Sequence, residues 1–261
     1  MGRDTLNALG FCAAVLQRRD PQAVMAVCTA DHLIKPEEKF CELIEQGLSV
    51  AEQMPHTLVA FGVIPTSPAT AYGYLQLGRT VGNAYVVEHF CEKPDAATAT
   101  AFFNAGPRKY LWNSGMFVWR ASVLLDCIRC FEPDTYAKLQ RIAEAYDGVN
   151  RISVMNEVYP SLKKIRVDFA VMEPASCHPQ FRVLAVPMPL DWVDVGSWNA
   201  FAEMCSHDEH GNAIAAARHL LHKTQHTLVV SGDPSHLVVT LGCEHLTVIH
   251  TPEATLVCHS D

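Results

Sequence analysis

The chain has 261 residues, of which 49% are hydrophobic and 18% charged, and its formal net charge is −8. This composition describes a packed globular protein and excludes a disordered one. The acidic balance argues against a general nucleic-acid binder, which would present a basic patch. No secretory leader or membrane-length apolar run is visible, and ten scattered cysteines read as the reduced thiols of a cytoplasmic protein.

Leu6, Leu9, Ala13 and Leu16 recur at helical spacing and predict a helix over 5–19. The run AVMAVCTADHLI (23–34) begins as a continuous apolar stretch and ends in Asp31-His32. It reads as a buried parallel strand over 23–29 with polar groups at its carboxyl end, where open α/β sheets bind ligands. Pro36, Glu37 and Glu38 suit the start of a helix over 36–54. A strand is expected at 57–63, then a loop over 64–74 with Gly73 between two tyrosines. Another strand at 85–92 closes on Lys93-Pro94, and a short helix follows over 96–105.

KYLWNSGMFVWR (109–120) reads as a strand entering and leaving a polar break at Asn113-Ser114-Gly115. Helices are expected at 121–131, 133–147 and 153–162, a strand at 181–187 and a helix at 198–206. DWVDVGSW (191–198) packs two acids, two tryptophans and Gly196 into eight residues. After residue 212 the pattern becomes short strands at 228–231, 237–241, 246–250 and 255–258, separated by turn signals. The expected organisation is an α/β domain over 1–208 and a β-rich segment over 209–261, whose use is packing or oligomer contact. Cys127 and Cys130 form a lone C-x-x-C without the second pair a zinc site needs, so they read as helix thiols. His219, His222 and His226 lack a nearby acid or cysteine partner and read as a solvated segment rather than a metal site.

Five polar clusters lie at the edges of apolar runs: Asp31-His32, Thr70 to Tyr74, Glu92-Lys93-Pro94, Trp112 to Gly115 with Glu173, and Asp191 to Gly196. If the runs are neighbouring strands, these clusters can converge on one crevice. Asp31 and Asp194 can then share a hard cation, and Lys93 can meet a phosphate as a point charge. Gly73 and Gly115 would let the backbone approach a ligand. Asn113 and Glu173 can hydrogen-bond vicinal hydroxyls, and Tyr72, Tyr74, Trp112 and Trp192 can wall a sugar. Each residue also has a plainer reading as a cap, a strand end, a turn or core, and only their joint occurrence favours a site.

Seven segments together resemble the nucleotidyltransferase family of sugar-1-phosphate pyrophosphorylases, in its mannose and GTP branch. They are GRDT (2–5), ADHLI (30–34), GVIPTSPATAYGY (62–74), VEHFCEKPD (87–95), YLWNSGMFVW (110–119), VDFAVME (167–173) and WVDVGSW (192–198). GN (211–212) and HTPEATLV (250–257) extend the resemblance to nearly the whole chain. It implies a Rossmann-like, GT-A-like mixed sheet flanked by helices, with a small β-rich tail. It implies transfer of a guanylyl group from GTP to mannose 1-phosphate, giving GDP-mannose and pyrophosphate. On that reading Asp31 and Asp194 hold Mg²⁺ and Lys93 contacts the sugar phosphate. Tyr72, Gly73, Asn113, Gly115 and Glu173 bind the sugar, and Arg3 and Thr5 lie near the nucleotide.

The family opens with a strand and a loop of the form GGxGxRLxP, which this sequence does not show, and GRDTLNALG (2–10) differs from the family's GRNTAPAIG. The expectation is a chain lacking the first strand of its sheet, with little activity alone and an open ladder that invites a second copy. Two further readings stay open. One is a non-catalytic sugar-phosphate-binding or regulatory subunit, and the other a pyrophosphorylase for another sugar or base.

Overall fold

The computed structural model describes residues 2–260. In chain order its elements begin with α1 (Asp4–Arg19), β1 (Val24–Val27), β2 (His32–Lys35), α2 (Glu37–Gln53), β3 (Thr57–Val63), β4 (Tyr74–Val81) and β5 (Ala84–Cys91). Next come α3 (Ala96–Ala105), β6 (Tyr110–Arg120), α4 (Ala121–Phe131), α5 (Pro133–Ala145) and α6 (Arg151–Val158). A π-helical turn (Asp168–Met172) runs into α7 (Glu173–Ser176), followed by β7 (Arg182–Pro187), β8 (Asp191–Asp194) and α8 (Trp198–Met204). The last strands are β9 (Ala213–Ala215), β10 (Arg218–His222), β11 (Leu228–Ser231), β12 (Leu237–Leu241), β13 (Leu246–His250) and β14 (Thr255–His259). Two compact units result, one from Met1–Thr29 and Ile34–Asp191, the other from Ala30–Leu33 and Trp192–Asp261.

The larger unit is built on a six-stranded sheet in the order β1-β6-β3-β7-β5-β4. TLVAFGV forms β3, which is buried along its whole length between antiparallel β6 and parallel β7. Alternate β3 side chains serve opposite faces. Leu58 and Ala60 join the cluster that holds Leu6 and Ala13 of α1, Leu124 and Ile128 of α4, and Leu139 and Ile142 of α5. Phe61 points the other way, against Gly47 of α2. The antiparallel β3–β6 and parallel β3–β7 pairings make the sheet mixed, as expected.

Several expectations are corrected. Residues 24–27 form an edge strand that pairs only with β6, antiparallel, with Ala26 exposed; the segment is neither parallel nor fully buried. Its apolar character comes from the core on one face, where Met25 joins the cluster of α1, α4 and α5 and Ala23 and Val27 pack against it. The run 23–34 is two strands, because His32 to Lys35 turn away to pair with β8. Pro36 caps α2 from outside its first turn, its carbonyl accepting the Phe40 N–H. There is no break at 113–115: β6 is continuous and absorbs the polar residues as a bulge, pairing Ala60 with Phe117 but Gly62 with Asn113. Gly115 takes a φ of +71° there, which glycine adopts without strain.

The smaller unit is a coil of short parallel strands. Leu228 of β11 pairs with Ala213 of β9 on one side and Thr247 of β13 on the other, while Arg218 of β10 pairs with Leu237 of β12. Strand β14 closes the stack antiparallel to β13. Val229, Val238 and Val248 form its core. Asn212 is fully buried and clamps the first turn. Its side-chain amide donates to Asp208 Oδ2 and the Thr224 carbonyl, each at 2.9 Å, and its Oδ1 accepts the Thr227 N–H at 3.1 Å. His226 stacks on His245 at 5.1 Å between ring centroids. None of the three candidate histidines belongs to a metal-type cluster among the described residues.

Candidate active site

In the larger unit, the polar residues meet where β5 and the β6 bulge approach the π-helical turn. Asn113 donates its backbone N–H to the Gly73 carbonyl at 2.8 Å, which ties the 64–73 loop to β6. Its side-chain Nδ2 donates to Asp168 Oδ1 at 3.0 Å, and its Oδ1 accepts the Gly115 N–H at 3.2 Å. Asn113 is thus braced at both ends, with one amide proton still to offer. The Gly115 N–H, expected to approach a ligand, is spent on Asn113.

Glu92, at the end of β5, has a side chain only 7% exposed and stands 3.8 Å from Arg166 Nη1. Arg166 Nε in turn lies 4.0 Å from Asp4 Oδ1. Burial, with Asp168 next in effect, pushes the Glu92 carboxyl up to about 7 against the pull of Lys93 and Arg166. Asp168 is also raised by burial, which outweighs its own backbone hydrogen bond and the Asn113 amide. Glu92 Oε2 is buried without a hydrogen-bond partner. A Cβ on residue 73 would collide with that oxygen and sit 3.3 Å from Asn113 Cβ, so glycine is what lets the loop lie against Glu92.

Beside this acid, Lys93 is exposed and has a φ of +49°. Glu173 is half-buried at the head of α7 and adds to the negative field on Glu92. The Tyr72 and Trp112 rings lie 5.0 Å apart. Carboxylates, an amide and an aromatic pair are the chemistry of polyhydroxyl recognition, with an exposed ammonium suited to an anion.

Tyr74 does not belong to that wall. It is fully buried and donates its hydroxyl to the Ala69 carbonyl at 3.0 Å. Arg3 donates to the Pro160 carbonyl, and the Thr5 hydroxyl accepts the Val167 N–H at 3.0 Å. Both residues fasten the start of α1 to the 160–167 segment.

The smaller unit brings Asp31, which directly precedes β2, together with His32 at the start of β2 and Asp194 at the end of its partner β8. One ligand-type atom from each of Asp31, His32 and Asp194 lies within 4.8 Å of the others, the only such cluster among the described residues. The Val195 N–H donates to the Asp31 carbonyl at 2.9 Å. The Gly196 N–H donates to Asp194 Oδ1 at 2.9 Å, which fixes that carboxylate. Trp192 Nε1–H donates to His32 Nδ1 at 3.0 Å. Desolvation lowers the His32 pKa, outweighing the opposite pull of Asp194 and Asp31. Two carboxylates converging where β2 begins and β8 ends are a donor set for a hard divalent cation.

Glu92, Arg166, Asp168 and Trp192 were given no role, or only a generic one, from sequence. The available signals were an acid directly before Lys-Pro at a strand end, and an acid opening an apolar helical turn.

Residues 1–211 match the Nucleotidyl transferase family, and the chain belongs to it. Members of that family generally use a divalent metal. Among particular relatives, the chain is 34% identical over 264 residues to mannose-1-phosphate guanylyltransferase of Escherichia coli (strain K12), covering 98% of this chain and 53% of that protein. It is 33% identical over 271 residues to the xanthan biosynthesis protein XanB of Xanthomonas campestris pv. campestris (strain B100), covering 100% and 53%. The chain therefore spans about half the length of the curated relatives it matches. A solved structure from Thermus thermophilus, called a mannose-1-phosphate geranyltransferase, superposes with a TM-score of 0.81 at 30% identity. That match covers 100% of this chain and 72% of that one. No helix among the described residues is long and apolar enough to cross a membrane.

Proposed function

We propose that this chain serves the transfer of a guanylyl group from GTP to mannose 1-phosphate. An oxygen of the sugar phosphate bonds to the α-phosphorus of GTP, the bridge from the α- to the β-phosphorus breaks, and pyrophosphate leaves. The observation that carries the reading is likeness along 98% of this chain to a protein named mannose-1-phosphate guanylyltransferase, together with the cluster at Gly73, Glu92, Asn113 and Asp168.

Each group has a task in this reading. The remaining Asn113 amide proton and the Glu173 carboxylate hold sugar hydroxyls. Glu92, held partly protonated near neutral pH, donates or accepts as the hydroxyl requires. The Tyr72 and Trp112 rings wall the sugar, and Gly73 lets its loop lie against Glu92 and Asn113 beside them. Lys93 holds the sugar phosphate as a point charge. Mg²⁺ held by Asp31 and Asp194 would neutralise phosphate charge as it develops. The protein supplies position and field rather than covalent chemistry. We assign the protein to the cytoplasm, where its ten scattered cysteines would stay reduced thiols.

Calorimetric titration of the 261-residue chain with mannose 1-phosphate tests the sugar side, and GDP-mannose formation from GTP with Mg²⁺ tests the reaction. Saturable mannose 1-phosphate binding that Asn113→Ala weakens supports the reading. Preference for glucose 1-phosphate, or binding that Lys93→Ala and Asn113→Ala both leave unchanged, overturns it.

A further inference from the structure

The Asp31, His32 and Asp194 cluster presents three ligand-type atoms within 4.8 Å of each other, which invites a mixed nitrogen and oxygen metal site. Its hydrogen bonding points elsewhere. The indole N–H of Trp192 is a donor only. At 3.0 Å from His32 Nδ1 it engages that nitrogen's lone pair, so Nδ1 carries no proton. In a neutral imidazole the proton then sits on Nε2, and neither nitrogen keeps a lone pair for a metal.

Metal-ligating histidines are wired with the opposite polarity. The nitrogen away from the metal donates its N–H to a carboxylate or carbonyl, which leaves the other lone pair for the ion. Here the outer partner donates instead of accepting. The arrangement is fixed by the fold, because His32 opens β2 and Trp192 lies on its partner β8. The two rings also pack edge to face, with centroids 5.0 Å apart and planes at 85°.

We propose that Trp192 determines which cation this site takes: by occupying His32 Nδ1 it keeps the imidazole as an N–H donor beside Asp31 and Asp194, leaving carboxylate oxygens as the only ligand atoms the cluster offers. The inference rests on the assignment of those two acids to a divalent cation. Oxygen-only sets suit Mg²⁺ and Mn²⁺, whereas an available imidazole shifts preference toward Zn²⁺. The indole thus acts as a selectivity device without touching the ion.

The test uses Mn²⁺ as the probe on the full chain, read by electron spin-echo envelope modulation, which detects a directly coordinated nitrogen. The wild-type spectrum should show bound Mn²⁺ with no coordinated nitrogen. Trp192→Phe should introduce a nitrogen coupling that is lost in the double variant with His32→Gln. The same single variant should raise Zn²⁺ affinity relative to Mn²⁺ about tenfold or more in calorimetric titration, the scale of one added ligand. Bound Mn²⁺ with a coordinated nitrogen in the wild type would overturn the inference and leave the cation assignment standing. Wild-type selectivity retained in a folded Trp192→Phe chain would overturn it as well. Absence of Mn²⁺ binding, or binding indifferent to Asp31→Asn and Asp194→Asn, would overturn the cation assignment and the inference with it. The wild-type spectrum decides the matter even if the tryptophan variant fails to fold.

Discussion

Glu92 offers a direct physical test of the larger unit's polar cluster. Its carboxyl is raised from 4.5 to about 7, first by burial and then by Asp168. The folded protein therefore holds a proton that the unfolded chain has already released. Stability falls as pH rises through the window between those two values, and is independent of this group outside it. One pKa unit corresponds to about 1.4 kcal/mol, so the loss from about pH 5 to about pH 8 is about 2.5 kcal/mol. Glu92→Gln keeps the shape and removes the charge. Urea unfolding of both proteins across that range should show near-equal stability at the acid end. The variant should then gain on the wild type by about 2.5 kcal/mol toward the alkaline end. A difference that stays flat with pH would refute the reasoning, because the carboxyl would then ionise alike in folded and unfolded chains. A difference that grows toward acid would mean that Arg166, 3.8 Å away, dominates over burial.

Gly73→Ala places a methyl group against Glu92 Oε2 and Asn113 Cβ. It should cost about 1 to 3 kcal/mol in thermal or urea unfolding and weaken mannose 1-phosphate binding in calorimetry. Lys93→Ala removes an exposed ammonium, so stability should change by less than about 0.5 kcal/mol. Mannose 1-phosphate affinity should nonetheless fall about 10- to 100-fold, the worth of one charge-assisted hydrogen bond. Asn212→Ala leaves Asp208, the Thr224 carbonyl and the Thr227 N–H without their shared partner. It should destabilise the smaller unit by about 2 to 3 kcal/mol, read as earlier loss of its amide protection in hydrogen exchange.

The fold was legible where periodicity and length agree. Leu6, Leu9, Ala13 and Leu16 mark α1, and the unbroken TLVAFGV run marks the central strand β3. It was misread where a short apolar run has two explanations. Val24 to Val27 look like a central parallel strand because Met25 and Val27 pack into the core of α1, α4 and α5, and only the pairing with β6 reveals an edge. Strand β4 escaped notice because its pairing with β5 shifts register between Gln76 and Thr80, which breaks the alternation. Strands β9 and β10 escaped because AIA is too short, and RHLLH too polar, to stand out. Within VDFAVME, Asp168 opens the helical turn and its carboxylate reaches Asn113, a bond across 55 positions that no local pattern announces.

The polar clusters show the same division between type and state. Their residue types were visible as interruptions at the edges of apolar runs. Their chemical states were not, because those states depend on neighbours remote in the chain. Glu92 is a plain acid before Lys-Pro until Asp168 and the bare face of Gly73 enclose it. His32 has the composition of a ligand, and becomes a donor only through an indole 160 positions away. Two side chains of ordinary type thus acquire uncommon roles from contacts that the fold alone creates. For that reason the pH dependence of Glu92→Gln and the nitrogen coupling of Trp192→Phe probe the tertiary structure more sharply than loss of activity alone. Each reads the state that a distant contact imposes, and each reverts to the ordinary behaviour of its residue type if that contact is absent.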